Sequence, residues 1–456
     1  MKIKNLGKIN LCVALLFTIF LSGVGIYLGE CVVCCHCYCS KSLAKDQRET
    51  SSRLWQPTLS WNHVNLAVAY EFELLTDIKN LSPGIASAQA IFTTKSVYTN
   101  AYNINLEPYK NQKKLYWRTR ALNIDKKPIS DFTDPVAINM ADKLTGHNYP
   151  EITARLGEGQ GGTLLYPVYA WVPMWGAAKY EVEVLNREPE NPQGIRPSRY
   201  RIWHKETTLS DLYDDEPRMG YRRFYWRVRA LDEKGEPLGT YSPAISFKTS
   251  IKEKWEIGVM GDSISHGGGD MSYSPADISY SWIHYLNKPA INLSRSGDTS
   301  ETMVERFEQD VLPFSPKYLL IMGGTNSIRA GVSAQDVVDD LTELRDKCLS
   351  HNIEPIFLTL LPINPDNIEK CFQQPTDPGW LQEMTKVNEF IRSQHNVDVA
   401  RAMPFGSAEL PTNMGIDGLH TNADAKKLIA ATINADWDNV LHVSKQHDRN
   451  LLAKLF

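Results

Sequence analysis

Two rhythms of apolar and polar positions divide the chain. Through residues 53–250 the period is two. Tyr180, Val182 and Val184 alternate with Glu181 and Glu183, and Trp226, Val228 and Ala230 alternate with Arg227 and Arg229. Alternation of this kind marks half-buried antiparallel strands, with the apolar side inward and the charged side outward. From Trp255 onward, short apolar runs are separated by helical stretches, which implies βαβ units and a parallel sheet. Strands are expected at 256–260, 290–293, 318–322, 355–360 and 397–400, and helices near 277–287, 300–311, 334–351, 379–395 and 422–438. In the third of these helices Val337, Val338, Leu341, Leu344 and Cys348 make one apolar face, and Ser333 is placed to cap its start.

The period-two region carries one pattern twice. Leu59-Ser60-Trp61, Tyr70-Glu71-Phe72-Glu73-Leu74 and Tyr116-Trp117-Arg118-Thr119-Arg120-Ala121 return as Tyr169-Ala170-Trp171, Tyr180-Glu181-Val182-Glu183-Val184 and Tyr225-Trp226-Arg227-Val228-Arg229-Ala230. Trp61 and Trp171 are 110 positions apart, and Trp117 and Trp226 are 109 apart. So regular a spacing marks two copies of one module. Stacked antiparallel sheets would make each copy a β-sandwich, with the four tryptophans in its core rather than on a sugar-binding face. These residues resemble fibronectin type III domains, at 53–140 and 148–250. The second copy matches better, with Trp171-Val172-Pro173 leading to Tyr180 and Tyr241-Ser242-Pro243 near its end. Both are expected to serve as spacing or docking modules.

Composition narrows the setting. At 456 residues the chain is long enough for several domains. A net charge of −4 gives no polyanion-binding signal, so nucleic acid is not an expected partner. Lys2, Lys4 and Lys8 precede an uncharged apolar run, Ile9 to Gly29, that could span a bilayer with its basic side in the cytoplasm. Residues 1–30 therefore read as a signal peptide or a transmembrane anchor, and the body of the chain as exported. The segment 31–52 is a juxtamembrane linker carrying Cys31, Cys34, Cys35, Cys37 and Cys39. Its Cys-x-x-Cys has no second pair at zinc spacing, so no metal site is expected. Residues 443–456 are expected to be a tail.

The candidate chemistry sits at the ends of the parallel strands, where open α/β sheets bind ligands. Gly261-Asp262-Ser263-Ile264 follows the first strand, Ser294-Arg295-Ser296-Gly297-Asp298 the second and Gly323-Gly324-Thr325-Asn326-Ser327 the third, while Asp417-Gly418-Leu419-His420 precedes the last helix. These four segments resemble the SGNH hydrolases of the GDSL esterase/lipase superfamily, over about two-fifths of the chain. The resemblance implies a three-layer α/β/α, flavodoxin-like domain with a five-stranded parallel sheet at 254–442. It also implies that Ser263 is the nucleophile, His420 its base and Asp417 the residue that orients His420. The oxyanion donors would be the Ser263 and Gly297 backbone N–H groups and the Asn326 amide. Two positions depart from the family pattern, Ile264 in place of a leucine and Ser327 where an aspartate is common; the second bears on local geometry. No cofactor is expected, and no P-loop, dinucleotide or zinc signature is present.

Other candidates read differently. His266 would line the pocket, His284 would be structural, and His351 and His395 would sit at helix ends. Asp262 would brace its own turn. The long connection Leu361 to Asp377 would be a functional loop or lid. The expected activity is that of an exported serine esterase removing short acyl groups, such as acetyl, from a carbohydrate or glycoconjugate. A membrane-held lipid esterase or acyltransferase and a catalytically inactive binding protein are the alternatives.

Overall fold

The computed structural model describes residues 55–140, 146–154, 156–269, 274, 276–402 and 408–455. The expected signal or anchor and the cysteine-rich segment after it lie outside the described residues.

Two antiparallel units come first. In one, β2 (Ala69–Leu75), β3 (Ala90–Val97), β5 (Lys114–Leu122) and β6 (Val136–Asn139) pair in the order β3-β2-β5-β6, while β1 (Thr58–Ser60) pairs with β4 (Ala101–Asn103). The other repeats this arrangement. Strands β8 (Lys179–Leu185), β9 (Arg201–Thr207), β11 (Phe224–Leu231) and β12 (Ile245–Phe247) run β9-β8-β11-β12, and β7 (Val168–Ala170) pairs with β10 (Asp211–Tyr213). The registers correspond as well. Tyr70 faces Ala121 and Leu74 faces Trp117, as Tyr180 faces Ala230 and Val184 faces Trp226. Trp117, Trp171 and Trp226 are buried in the apolar cluster of their unit, and Trp61 packs against the first cluster.

The charged faces of these sheets do not meet water, contrary to the alternation rule. Glu71, Glu73, Arg118, Glu181, Glu183 and Arg227 are all buried. Arg118 Nε donates to Glu73 at 2.8 Å, and Arg227 Nε donates to Glu183 at 2.7 Å. Their remaining guanidinium donors reach loop carbonyls, of Ser82 and Ile85 in the first unit and Asn191 in the second. An aromatic ring closes each ladder: Phe132 lies 4.0 Å from the Arg118 guanidinium, and Tyr241 lies 4.2 Å from that of Arg227. A loop that supplies carbonyl acceptors lets a second face be buried although its side chains are ionic.

The third region is a five-stranded parallel sheet of β13 (Ile257–Gly261), β14 (Ala290–Asn292), β15 (Tyr318–Met322), β16 (Glu354–Leu358) and β17 (Asn396–Val397), in the order β14-β13-β15-β16-β17. Long helices Ser300–Asp310, Ala334–Ser350 and Trp380–Ser393 follow its strands, and Ser333 caps the second of them through the Asp336 N–H. Four expectations are corrected. The helix expected at 277–287 is two 3-10 turns, Ile278–Tyr280 and Trp282–Tyr285, separated by an extended Ser281. Gly161 abuts this segment so closely that an added Cβ would lie 2.9 Å from the His284 nitrogen. The last strand ends at Val397, because Asp398 accepts from the Arg401 N–H and opens the turn Val399–Ala402. The loop after β16 contains a helix, Pro365–Phe372, which Asn364 caps. The final helix runs from Ala423 to Leu455, well past the end expected near 438.

The boundary between the second antiparallel unit and the parallel sheet is not a plain linker. Leu165 N–H donates to Asn292 O at 2.8 Å, and Asn292 N–H donates to Thr163 O at 3.0 Å, a parallel bridge along the free edge of β14. Leu165 and Tyr166 then enter the apolar cluster of the parallel-sheet region.

Candidate active site

Ser263 stands two residues past the end of β13, at the first position of the short helix Ser263–His266. The Asp262 carboxylate accepts from the Ile264 N–H at 2.9 Å and fixes the turn, as the sequence suggests. A residue at the first helical position has no intrahelical acceptor for its own N–H, so the Ser263 amide is free to serve a ligand. His420 arrives from the loop before the last helix. Its Nε2 is 2.7 Å from Ser263 Oγ, and its Nδ1 is 2.6 Å from Asp417 Oδ2. A carboxylate only accepts, so Nδ1 carries the proton and Nε2 is left to accept from the serine. The other Asp417 oxygen accepts from the Leu419 and His420 N–H groups at 2.9 and 2.7 Å. Asp417 is fully buried, and three donors hold it in place.

Ser263, Gly297, Asn326 and His420 line one cavity of about 350 Å³, with Arg329, Phe372, Gln374, Pro375 and Leu419 among its other walls. Asp417 lies behind His420. Gly297 has φ +90°, a conformation that a side chain would strain. Asn326 donates one Nδ2 hydrogen to Asp298 O at 2.9 Å; the amide carries a second on the same nitrogen. Phe372, Gln374 and Pro375 come from the connection after β16, so that segment does form part of the wall.

Several supports were not legible. Asp298 accepts from Arg295 and Arg306 at 2.8 and 2.6 Å, and Arg306 Nη1 also reaches Leu293 O and Asp310. This network sits under the Ser294–Asp298 loop. Ser327, the departure from the family pattern, accepts from the Ser300 N–H at 2.9 Å and ties the Asn326 turn to the start of the helix Ser300–Asp310. Lys426 is buried and its ammonium donates to Ile264 O, one residue after the nucleophile. Burial pushes the Lys426 pKa down to about 8 and the Asp262 pKa up to about 6, while the two groups stabilise each other's charge.

His266 does not line the cavity. It is buried, with Nε2 2.7 Å from Tyr166 O, so that nitrogen donates and Nδ1 accepts from the Ser296 N–H at 3.1 Å. Burial lowers its pKa to about 4 and keeps it neutral. It thus bridges the second antiparallel unit to the residue before Gly297. His284 Nδ1 lies 3.1 Å from Gln160 O, a structural contact. His351 ends its helix, and His395 pairs with Glu354 at 2.8 Å.

The four sequence segments thus bring a serine, an imidazole, a buried carboxylate, a glycine and an asparagine to one site. Residues 259–428 match the model of the GDSL-like Lipase/Acylhydrolase family. They form a GDSL-like acylhydrolase domain. The chain is 31% identical over 124 residues to an uncharacterized lipoprotein of Bacillus subtilis, a match covering 25% of this chain and 51% of that one. It thus spans about half of that relative's length. It is 26% identical over 187 residues to thioesterase 1/protease 1/lysophospholipase L1 of Escherichia coli, covering 39% of this chain and 79% of the relative. Among solved structures, a GDSL-like lipase from Bacteroides thetaiotaomicron aligns with TM-score 0.33 and 19% identity, over 40% of this chain and 87% of that one. Among the described residues, no three His, Cys, Asp or Glu side chains gather in a way that could hold a metal ion. The acylhydrolase domain belongs to a family of carboxylic ester hydrolases.

Proposed function

We propose that the protein is a serine esterase that works through a Ser263-His420-Asp417 triad and removes small acyl groups, acetyl first among them, from a carbohydrate or glycoconjugate outside the cytoplasm. The observation that carries the esterase reading is the unbroken run of contacts from Ser263 Oγ through His420 to Asp417, 2.7 and 2.6 Å, opening on a cavity. In this mechanism Ser263 Oγ attacks the ester carbonyl carbon while His420 Nε2 takes its proton. The carbonyl oxygen becomes an oxyanion facing the Ser263 and Gly297 N–H groups and the Asn326 amide. His420 returns the proton to the departing alcohol, leaving an acyl-serine. Water then attacks the acyl carbon while Nε2 takes its proton. The bond from that carbon to Ser263 Oγ breaks, Oγ regains the proton from Nε2, and the free acid departs. Asp417 stays ionised throughout and steadies the imidazolium.

The small cavity supports a short acyl group. The two antiparallel units, read as fibronectin type III-like modules, and the N-terminal apolar run support an exported enzyme acting on a polymer. A lipid or thioester substrate is the second reading, favoured by the name of the Escherichia coli relative. The test is hydrolysis of p-nitrophenyl esters of graded chain length beside acetylated polysaccharides, together with fluorophosphonate labelling. Ser263→Ala should lose both turnover and label. Label that persists in that variant moves the nucleophile elsewhere, and a rate that rises with chain length replaces the acetyl substrate with a lipid.

A further inference from the structure

Arg329 ends the helix Thr325–Arg329, three residues after Asn326, and its side chain lines the cavity that holds Ser263 and His420. The other charges close to the nucleophile are matched. Asp417 has His420, Arg306 has Asp298 and Asp310, and Asp262 and Lys426 offset each other. Arg329 is half-buried without such a match. Among the described residues no carboxylate forms an ion pair with it, its Nε has no hydrogen-bond partner, and Nη1 reaches Asn326 Oδ1 only at 3.4 Å. Its guanidinium lies 5.8 Å from the centre of the Phe372 ring. Asp417 and Asp262 favour its charge from farther off, but burial outweighs them and lowers its pKa.

Taking a cation partly out of water without a counter-charge is unfavourable. A guanidinium also presents its donors as a planar fork that matches a carboxylate or a phosphate. A cavity that holds such a group beside the nucleophile is suited to a ligand bringing the missing charge. We propose that Arg329 determines specificity by binding a carboxylate or phosphate that the substrate carries close to its scissile ester. This deepens the esterase reading and rests on it. The substrate is then an acidic ester, such as an acylated acid sugar or a phosphorylated alcohol.

A simpler role, steadying the Asn326 amide through Nη1, would slow all esters alike, because the same oxyanion forms on each. Recognition of an anion changes the ratio between charged and neutral esters. The full chain is therefore assayed with three aryl acetates that differ only at the para position: 4-acetoxybenzoate, 4-acetoxyphenyl phosphate and 4-acetoxybenzamide. Each kcat/KM is divided by the probe's spontaneous hydrolysis rate. The wild type should prefer one of the anions to the carboxamide by about tenfold or more, the usual scale for a charge-assisted contact. Whichever anion leads separates a carboxylate source from a phosphate source. Arg329→Gln should bring the ratio near one, and Arg329→Lys should keep part of it. A wild type that hydrolyses the carboxamide without favouring either anion overturns the proposal and leaves the esterase reading in place. So does a preference that survives in Arg329→Gln. No hydrolysis of any probe by the wild type overturns both. If Arg329→Gln does not fold, the wild-type ratio and the lysine variant still decide.

Discussion

In the antiparallel units a buried arginine meets a carboxylate on the next strand, Arg118 on Glu73 and Arg227 on Glu183, and loop carbonyls take its remaining donors. Around Ser263, Asp262 and Lys426 are buried just as deeply and Arg329 only in part, and the charges are placed differently. Lys426 reaches a backbone carbonyl instead of a carboxylate, Asp262 holds a backbone N–H, and Arg329 faces a cavity. The units use charge to fasten strands, and the pairs close on themselves. The acylhydrolase domain pairs Arg306 with Asp298 and Asp310, but it leaves Arg329 without a counter-charge among the described residues. Asp262 and Lys426 offset each other without a direct ion pair, with pKa values displaced to about 6 and about 8. Groups that must respond to a substrate or a proton are those not already satisfied by the fold.

The contrast can be broken from either side. On the proposed mechanism, Asp417→Asn keeps the shape of the carboxylate but loses the tautomer it enforces, so kcat should fall by about 10⁴. Steady-state kinetics on a good small ester measures this, and a fall of less than tenfold would show that His420 is oriented by something else. Asn326→Ala should lower kcat by about 10²–10³ with little change in KM, because its donor acts on charge that appears in the transition state. A rise in KM alone would make Asn326 a substrate-binding residue.

In the first antiparallel unit, Glu73→Gln should cost about 3–5 kcal/mol of stability by leaving Arg118 buried and unpaired. Replacing both as Glu73→Leu/Arg118→Met should recover most of it. Denaturant unfolding of single and double variants decides, and equal losses would mean that the loop carbonyls, not the ion pair, hold the ladder.

The smallest expected effect is a pH dependence at Asp262. Its folded pKa lies near 6, above its ordinary 3.8, so between those values the folded state binds more protons than the unfolded one. Stability from this group is present below 3.8 and is lost as pH rises through about 6. Asp262→Asn lacks the transition but can still cap the turn. Its melting temperature relative to wild type should therefore climb by a few degrees across that window and level off above it. A flat difference would show that Asp262 is not displaced.

How much could be read from sequence depended on how local the cause was. Gly261-Asp262-Ser263 after an apolar run placed the serine at a strand end, and the helix after Ser333 followed from its cap and apolar face. The alternation of Glu181 and Glu183 with apolar neighbours correctly gave strands, but a period of two says only that two faces differ. Whether the charged face meets water depends on a loop many residues away. His266 was misjudged for the same reason: its acceptor, Tyr166 O, lies 100 positions earlier. The helix after Asn364 did have a local signal, since an N-cap followed by proline is a common start.

The bridge of Thr163 and Leu165 to Asn292 has a consequence for how the protein assembles. The segment that covers the edge of β14 is synthesised before any strand of the parallel sheet, so it cannot take its place until that sheet exists. The antiparallel unit that carries it and the acylhydrolase domain should therefore lose structure in a single melting transition, despite their different architectures. Cut away from that segment, β14 would offer an open row of backbone donors and acceptors to other chains, a route to aggregation.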